Sequence, residues 1–174
     1  MFPKVQPTSG WRRPPVLPTA LDPAPQTQAT YDYLRSICPD VVVTQGDFDE
    51  SGRWPGAAVV SIGGLKVGMC HGHQLAPWGD ADVLAALQRR MDVDILVMGH
   101  THEFAAYERD GRFVINPGSA TGAYSVASPA AATPSFVLMD VDAGKATVYV
   151  YELAEGDEVK VDKLEYIKKT AVAS

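Results

Sequence analysis

Three textures follow one another along the chain. Residues 1–25 hold Pro3, Pro7, Pro14, Pro15, Pro18, Pro23 and Pro25 among few large aliphatic side chains, a spacing in which neither helix nor strand propagates. This stretch reads as a proline-rich disordered tail, residues 1–26. From Thr27 onward apolar positions recur at helical spacing, and Thr27 or Thr30 caps a short helix that buries Tyr33, Leu34 and Ile37 and stops before Pro39. Val41, Val42 and Val43 then run without alternation, which predicts a buried strand over residues 40–44. Two more strands, over 57–62 and 65–70, flank a Gly63-Gly64 turn, and the second leads into His71-Gly72-His73. The next helix is acidic at its start (Asp80, Asp82) and basic at its end (Arg89, Arg90), with Val83, Leu84, Leu87 and Met91 along one side. It feeds a buried strand over residues 94–98.

Beyond Gly99 the pattern becomes β structure. Strands over 104–109 and 112–115 join through Asp110-Gly111, a strong hairpin signal, and Asn116-Pro117-Gly118-Ser119 marks a turn. A long loop crosses residues 125–134, followed by strands over 135–141, 145–153 and 158–167. Strands alternating with helices early and hairpins late predict an α/β class: two stacked sheets covered by helices. One domain over residues 27–170 is expected, followed by a short tail at 171–174. The 174 residues, 46% of them apolar, suffice for one core and not for two.

Charge and cysteine usage narrow the classes of function. A net charge of −6 leaves no basic stripe for nucleic acid and no cationic cluster for an anionic membrane. Cys38 and Cys70, with no recognisable leader, read as reduced thiols of a cytosolic protein. The basic, acid-poor start has the charge of an import peptide, but its prolines forbid the amphipathic helix that such peptides form. No hydrophobic run approaches the roughly 18 residues of a membrane span.

All four histidines, His71, His73, His100 and His102, fall in two short segments, each just after a predicted buried strand. Loops leaving strand ends are where rigid scaffolds hold functional groups, and imidazole is a usual ligand for zinc, manganese or iron. His100 and His102 are two apart, so in an extended segment they point the same way. Gly46-Asp47-Phe48-Asp49 adds carboxylates at the same predicted edge. Singly, each of these is better explained as a polar loop residue or turn aspartate without a ligand. Together they point to a metal site. Cys70, at the end of an apolar strand, reads as a core thiol in preference to a nucleophile.

Gly46 to Glu50, His71-Gly72-His73-Gln74 with Pro77-Trp78-Gly79-Asp80, Gly99-His100-Thr101-His102 and Asn116-Pro117-Gly118-Ser119 resemble, in order and spacing, the calcineurin-like metallophosphoesterase superfamily. Thr30 to Leu34, Asn116 to Tyr124 and Pro134 to Asp140 extend the likeness to the small retromer subunits, over about residues 28–169. The resemblance implies a metallophosphoesterase-like β-sandwich flanked by helices. In the superfamily's enzymes two metal ions clamp a phosphate and activate water. By motif, Asp47, His71, His100 and His102 stand at ligand positions, while Phe48 stands where active members carry the histidine that protonates the leaving group. The Asp-x-His and Gly-Asp or Gly-Asn motifs with which the family opens do not occur before Thr27. The fold is therefore expected to lack its usual first strands, and the site to hold one divalent metal, zinc or manganese, weakly.

The resemblance further implies a non-catalytic scaffold of endosome-to-Golgi and endosomal recycling transport, cytoplasmic and held at endosomal membranes through its partners. Leu75, Ala76, Pro77 and Trp78 would meet retromer's α-solenoid subunit; Trp78 as a core lid is an equal reading of the same residue. Leu138, Tyr149 and Tyr151 match a patch that recruits regulators. Tyr149 and Tyr151 share one face of a strand, which core packing explains equally well. The rival class is a metal-dependent phosphodiesterase acting on small phosphate esters.

Overall fold

The computed structural model describes residues 26–127 and 132–169. The expected tails, and the middle of the loop over 125–134, lie outside these residues. Ten elements follow in chain order: α1 (Gln26–Ile37), β1 (Ala57–Ile62), β2 (Leu65–Cys70), α2 (Ala81–Met91), β3 (Ile95–Val97), β4 (Phe104–Arg109), β5 (Arg112–Pro117), β6 (Ser135–Asp142), β7 (Lys145–Leu153) and β8 (Val159–Ile167). They form a five-stranded sheet in the order β1-β2-β3-β5-β4 and a three-stranded sheet in the order β6-β7-β8.

The two sheets enclose the main core. Leu65, Val67, Met69, Ile95, Val97, Phe113 and Ile115 face Ala146, Val148, Val150 and Tyr166 across it. β7 alternates half-buried and buried positions from Lys145 to Tyr151, as a strand with one face on a core must. On the other side of the large sheet, α2 lays Leu84, Leu87 and Met91 over Cys70, Leu96 and Val114. The Asp80 side chain caps α2 by accepting from the backbone N–H of Asp82 and Val83, and Asp92 closes it in the left-handed region. Gln88, on the buried side of α2, donates to the carbonyls of Asp94 and Phe113 and so pins the helix to β3 and β5.

β2, β3 and β5 run parallel, with Met69 beside Val97 and Val97 beside Ile115. Parallel strands end together, so the chain leaves β2 and β3 at one rim, carrying all four histidines there. The Gly63-Gly64 turn has a positive φ at both glycines, and a side chain at Gly63 would run into the Val141 carbonyl.

Four expectations fail in detail. The first helix begins at Gln26, so neither Thr27 nor Thr30 caps it. Tyr33 and Ile37 are exposed, because the helix turns Tyr31 inward onto Trp54, with ring centroids 4.6 Å apart, while Arg53 reaches Gln28. Residues 40–44 form no strand: Val43 is buried, but no strand among the described residues lies alongside to complete a ladder, and Gln45 alone bonds across to Pro55. Finally, β5 takes in Asn116 and Pro117, pairing them with Ala105 and Phe104, where a turn was expected.

Candidate metal centre

Three segments meet at the rim. The turn after residue 45 carries Asp47 and is tightened by the Gly46 N–H donating to the Asp49 carboxylate at 2.8 Å. The loop after β2 carries His71 and His73, and the loop after β3 carries His100 and His102. These two loops are tied where the Gly99 N–H donates to the His71 carbonyl at 2.9 Å. Gly72 is required between them: its φ is +107°, and a side chain there would press on the Gly99 carbonyl and Met98.

The second loop is fastened from behind. Asn116 donates to the Gly99 carbonyl and to Thr101 Oγ1 while its Oδ1 accepts from Gly118 N–H, and Ser125 Oγ donates to the His100 carbonyl at 2.6 Å. Both side chains are buried, and neither was singled out from the sequence for a role at the rim. The Asn-Pro-Gly-Ser motif was read as a turn, and its Asn could be weighed only once β5 brought it beneath Gly99. His100 and His102 both have positive φ, at 69° and 59°, so this loop is bent and the expected extended geometry does not hold.

Asp47, His71 and His100 bring one ligand atom each within 4.8 Å of one another. Asp47 Oδ1 lies 3.7 Å from His71 Nδ1, and Asp47 Oδ2 lies 3.8 Å from His100 Nδ1. His102 falls outside that 4.8 Å grouping but near enough for its charge to act on His71 and His100, and its Nδ1 donates to the Ala123 carbonyl at 2.8 Å. His73, named in the histidine cluster but not assigned by motif, has its Nδ1 3.0 Å from His71 Nδ1.

Electrostatics favour neutral imidazoles here. Burial pulls His71 down from 6.5 to about 4, Asp47 opposes this, and the other three histidines add to it. His100 is lowered for the same first cause, with Asp47 again opposing. A neutral imidazole has a free lone pair, which is what a metal needs. His100 Nε2 is buried and has no hydrogen-bond partner among the described residues, which leaves polar capacity unspent on the ring whose Nδ1 faces Asp47. The donor set of imidazoles plus one carboxylate suits zinc. When bound, such an ion would supply Lewis acidity at this rim. Burial meanwhile pushes the Cys70 thiol up to about 11, as befits a core residue.

The segment over residues 75–78 borders the cluster. Leu75 is half-buried against the α2 layer, whereas Ala76, Pro77 and Trp78 are exposed. Trp78 is 46% exposed; its ring stands edge-on to His100 at 4.6 Å and its Nε1–H donates to the His73 carbonyl at 3.0 Å. It thus roofs the cluster and also faces outward. Phe48, 66% exposed, extends from the same turn as Asp47.

Leu138, Tyr149 and Tyr151 lie on the outer face of the three-stranded sheet. Leu138 pairs with Tyr149 and Phe136 with Tyr151, whose rings stack in parallel at 4.7 Å. Both tyrosines are half-buried, and their outer-face neighbours Phe136, Leu138 and Val161 are about half exposed. Phe136 and Val161 join this patch without having been picked from the sequence.

Residues 22–144 match the calcineurin-like phosphoesterase superfamily domain. Vacuolar protein sorting-associated protein 29 of Schizosaccharomyces pombe is 44% identical over 143 residues, 80% of this chain and 76% of that protein. A crystal structure of wild-type Vps29 complexed with zinc from Entamoeba histolytica matches at 44% identity with a TM-score of 0.74, covering 79% of this chain and 76% of that one. Vps29 from Cryptosporidium parvum matches at 40% identity with a TM-score of 0.76, covering 81% and 77%.

Proposed function

This chain belongs to the Vps29 family of the calcineurin-like phosphoesterases, and on that premise we propose that it is a non-catalytic scaffold subunit of retromer in endosomal sorting. In this reading the rim docks onto the α-solenoid subunit through Leu75, Ala76, Pro77 and Trp78. The protein works in the cytoplasm and reaches endosomal membranes through that partner. The observation that carries the reading is the placement of Trp78: a large aromatic ring half out of a rigid, hydrogen-bonded rim is the shape of an interface anchor. The cluster beneath holds one divalent metal, and its contribution is to stiffen the loop that presents the anchor. The outer patch of Leu138, Tyr149 and Tyr151 recruits regulators as a second, independent surface.

The phosphodiesterase alternative draws on the same trio of Asp47, His71 and His100. Phe48 weighs against it. A benzyl side chain beside Asp47 neither donates nor accepts the proton that a leaving alkoxide requires. Co-purification with the retromer α-solenoid subunit tests the reading: Ala76→Asp and Trp78→Asp are each expected to remove the complex while the chain stays folded. Undiminished co-purification would move the interface elsewhere, and manganese-dependent hydrolysis of a chromogenic phosphodiester that His100→Ala abolishes would favour the enzyme.

A further inference from the structure

We propose that the free edge of β6 pairs with the β6 of a second copy of this chain, antiparallel about a two-fold axis at Leu138, so that two three-stranded sheets become one continuous sheet. Two hydrogen bonds fix which way the backbone groups of this edge point. The Leu153 N–H donates to the Pro134 carbonyl, continuing the register that sets Ser135 opposite Glu152. Even-numbered residues of β6 therefore bond to β7, and odd-numbered ones turn their N–H and C=O the other way. Ser135 does so, its N–H donating to the Ser119 carbonyl at 2.8 Å. Val137 and Met139 follow the same direction, but β6 is the end strand of its sheet, and no strand among the described residues lies along that side. The far end is closed by the Gly63-Gly64 turn, where Gly63 stands against the Val141 carbonyl and accepts from the Gly144 N–H.

The core is uncovered at the same place. Ala146, Val148 and Val150 of β7 are fully buried, whereas Val137 and Met139 of β6 point into the same core and remain half-buried. The opposite edge of this sheet is protected. β8 carries Lys160, Asp162, Lys163 and Glu165, and it is tied to the large sheet where Lys169 meets Glu108 and the Tyr166 hydroxyl donates to the Gly111 carbonyl. β6 has no lysine and no proline, and its carboxylates Asp140 and Asp142 stand toward one end. The strand also fits itself. With the two-fold at Leu138, Val137 of each copy lies opposite Met139 of the other and exchanges both backbone bonds with it. The two Leu138 side chains then meet on the outer face, and each Asp140 falls beside a Phe136, which keeps the carboxylates apart. A parallel pairing in register would set Asp140 against Asp140. Residues 1–25 are a poorer occupant, because the prolines spread through them remove N–H groups that a ladder needs. An edge this short buries little area, so the dimer is weak and forms as concentration rises.

Analytical ultracentrifugation of the full chain over a concentration series provides the test, with substitutions at the exposed Leu138 and Phe136. The native chain is expected to shift from monomer toward dimer. Leu138→Lys, which sets two ammonium groups opposite each other, loses the dimer, whereas Phe136→Lys, which sets one beside Asp140 of the second copy, moves the shift to lower concentration. Leu138→Cys yields a disulfide-linked dimer on mild oxidation, since the unbonded pair of an antiparallel ladder brings Cα atoms to about 4.5 Å, within disulfide reach. Val161→Cys, on the same face but on β8, yields none. The Val137 and Met139 amides exchange more slowly as concentration rises. A native chain that stays monomeric to the limit of its solubility, a dimer that Leu138→Lys leaves intact, or equal cross-linking in the two cysteine variants would overturn the proposal. So would protection of those two amides that is the same at every dilution, the mark of a strand supplied by the chain itself.

Discussion

The rim and the outer face of the three-stranded sheet are built on opposite principles. At the rim, side chains are held by hydrogen bonds from several segments: Asn116 and Ser125 fix the His100 loop, Gly99 binds His71, and Trp78 binds His73. On the outer face, Phe136, Leu138 and Val161 stand on a regular ladder with little above them. The first arrangement fixes polar atoms and depends on each bond. The second offers apolar area and depends on none of them. A chain can therefore lose its metal chemistry and keep its outer apolar face, or lose that face and keep its fold.

That contrast gives predictions of decreasing size. His100→Ala is expected to weaken zinc binding by more than about 100-fold in calorimetry, beyond any outer-shell loss, whereas Leu138→Asp leaves zinc affinity unchanged. Equal losses from both would erase the distinction. Asn116→Ala strips the buried Gly118 N–H of its partner and leaves the Gly99 carbonyl only the Thr101 N–H, and should cost about 1–3 kcal/mol in denaturant unfolding. Phe136→Ala, removing one stacked ring from the ladder, should cost only about 0.5–1.5 kcal/mol. Leu138→Asp should stay within about 0.5 kcal/mol of the native chain, as surface changes do. Acid should act on the rim first. Without metal, His71 binds its proton less readily folded than unfolded, so its contribution is complete above 6.5 and is lost as the pH falls toward about 4. Melting temperatures of the metal-free chain across that interval should fall, and should fall less in His71→Gln.

Much of the β structure was legible because local chemistry decided it. Gly63-Gly64 and Asp110-Gly111 supply the positive φ values their hairpins need, and Tyr149 and Tyr151 share one face of β7 as their spacing implied. α2 was equally plain, from capping Asp80 to its apolar side. The beginning of the described chain was not. Val41 to Val43 have the composition of a strand, but a ladder needs a neighbour, and none lies beside them among the described residues. Tyr33 and Ile37 looked buried on spacing alone, although Tyr31 makes the aromatic contact instead. At the site, motif and spacing drew attention to Asp47, His71, His100 and His102 but could not foresee the positive φ at His100 and His102, nor that His73 would face His71. Such facts arise from how loops fold back, which no periodicity records.

The measurement closest to the central claim is calorimetric titration of the retromer α-solenoid subunit with the zinc-loaded chain, set beside its rate of phosphodiester hydrolysis. The expected result is a one-to-one complex that Trp78→Asp abolishes and Leu138→Asp spares, with no hydrolysis above the metal-free background. Hydrolysis that depends on His100, from a chain that shows no heat of binding to the solenoid, would contradict it.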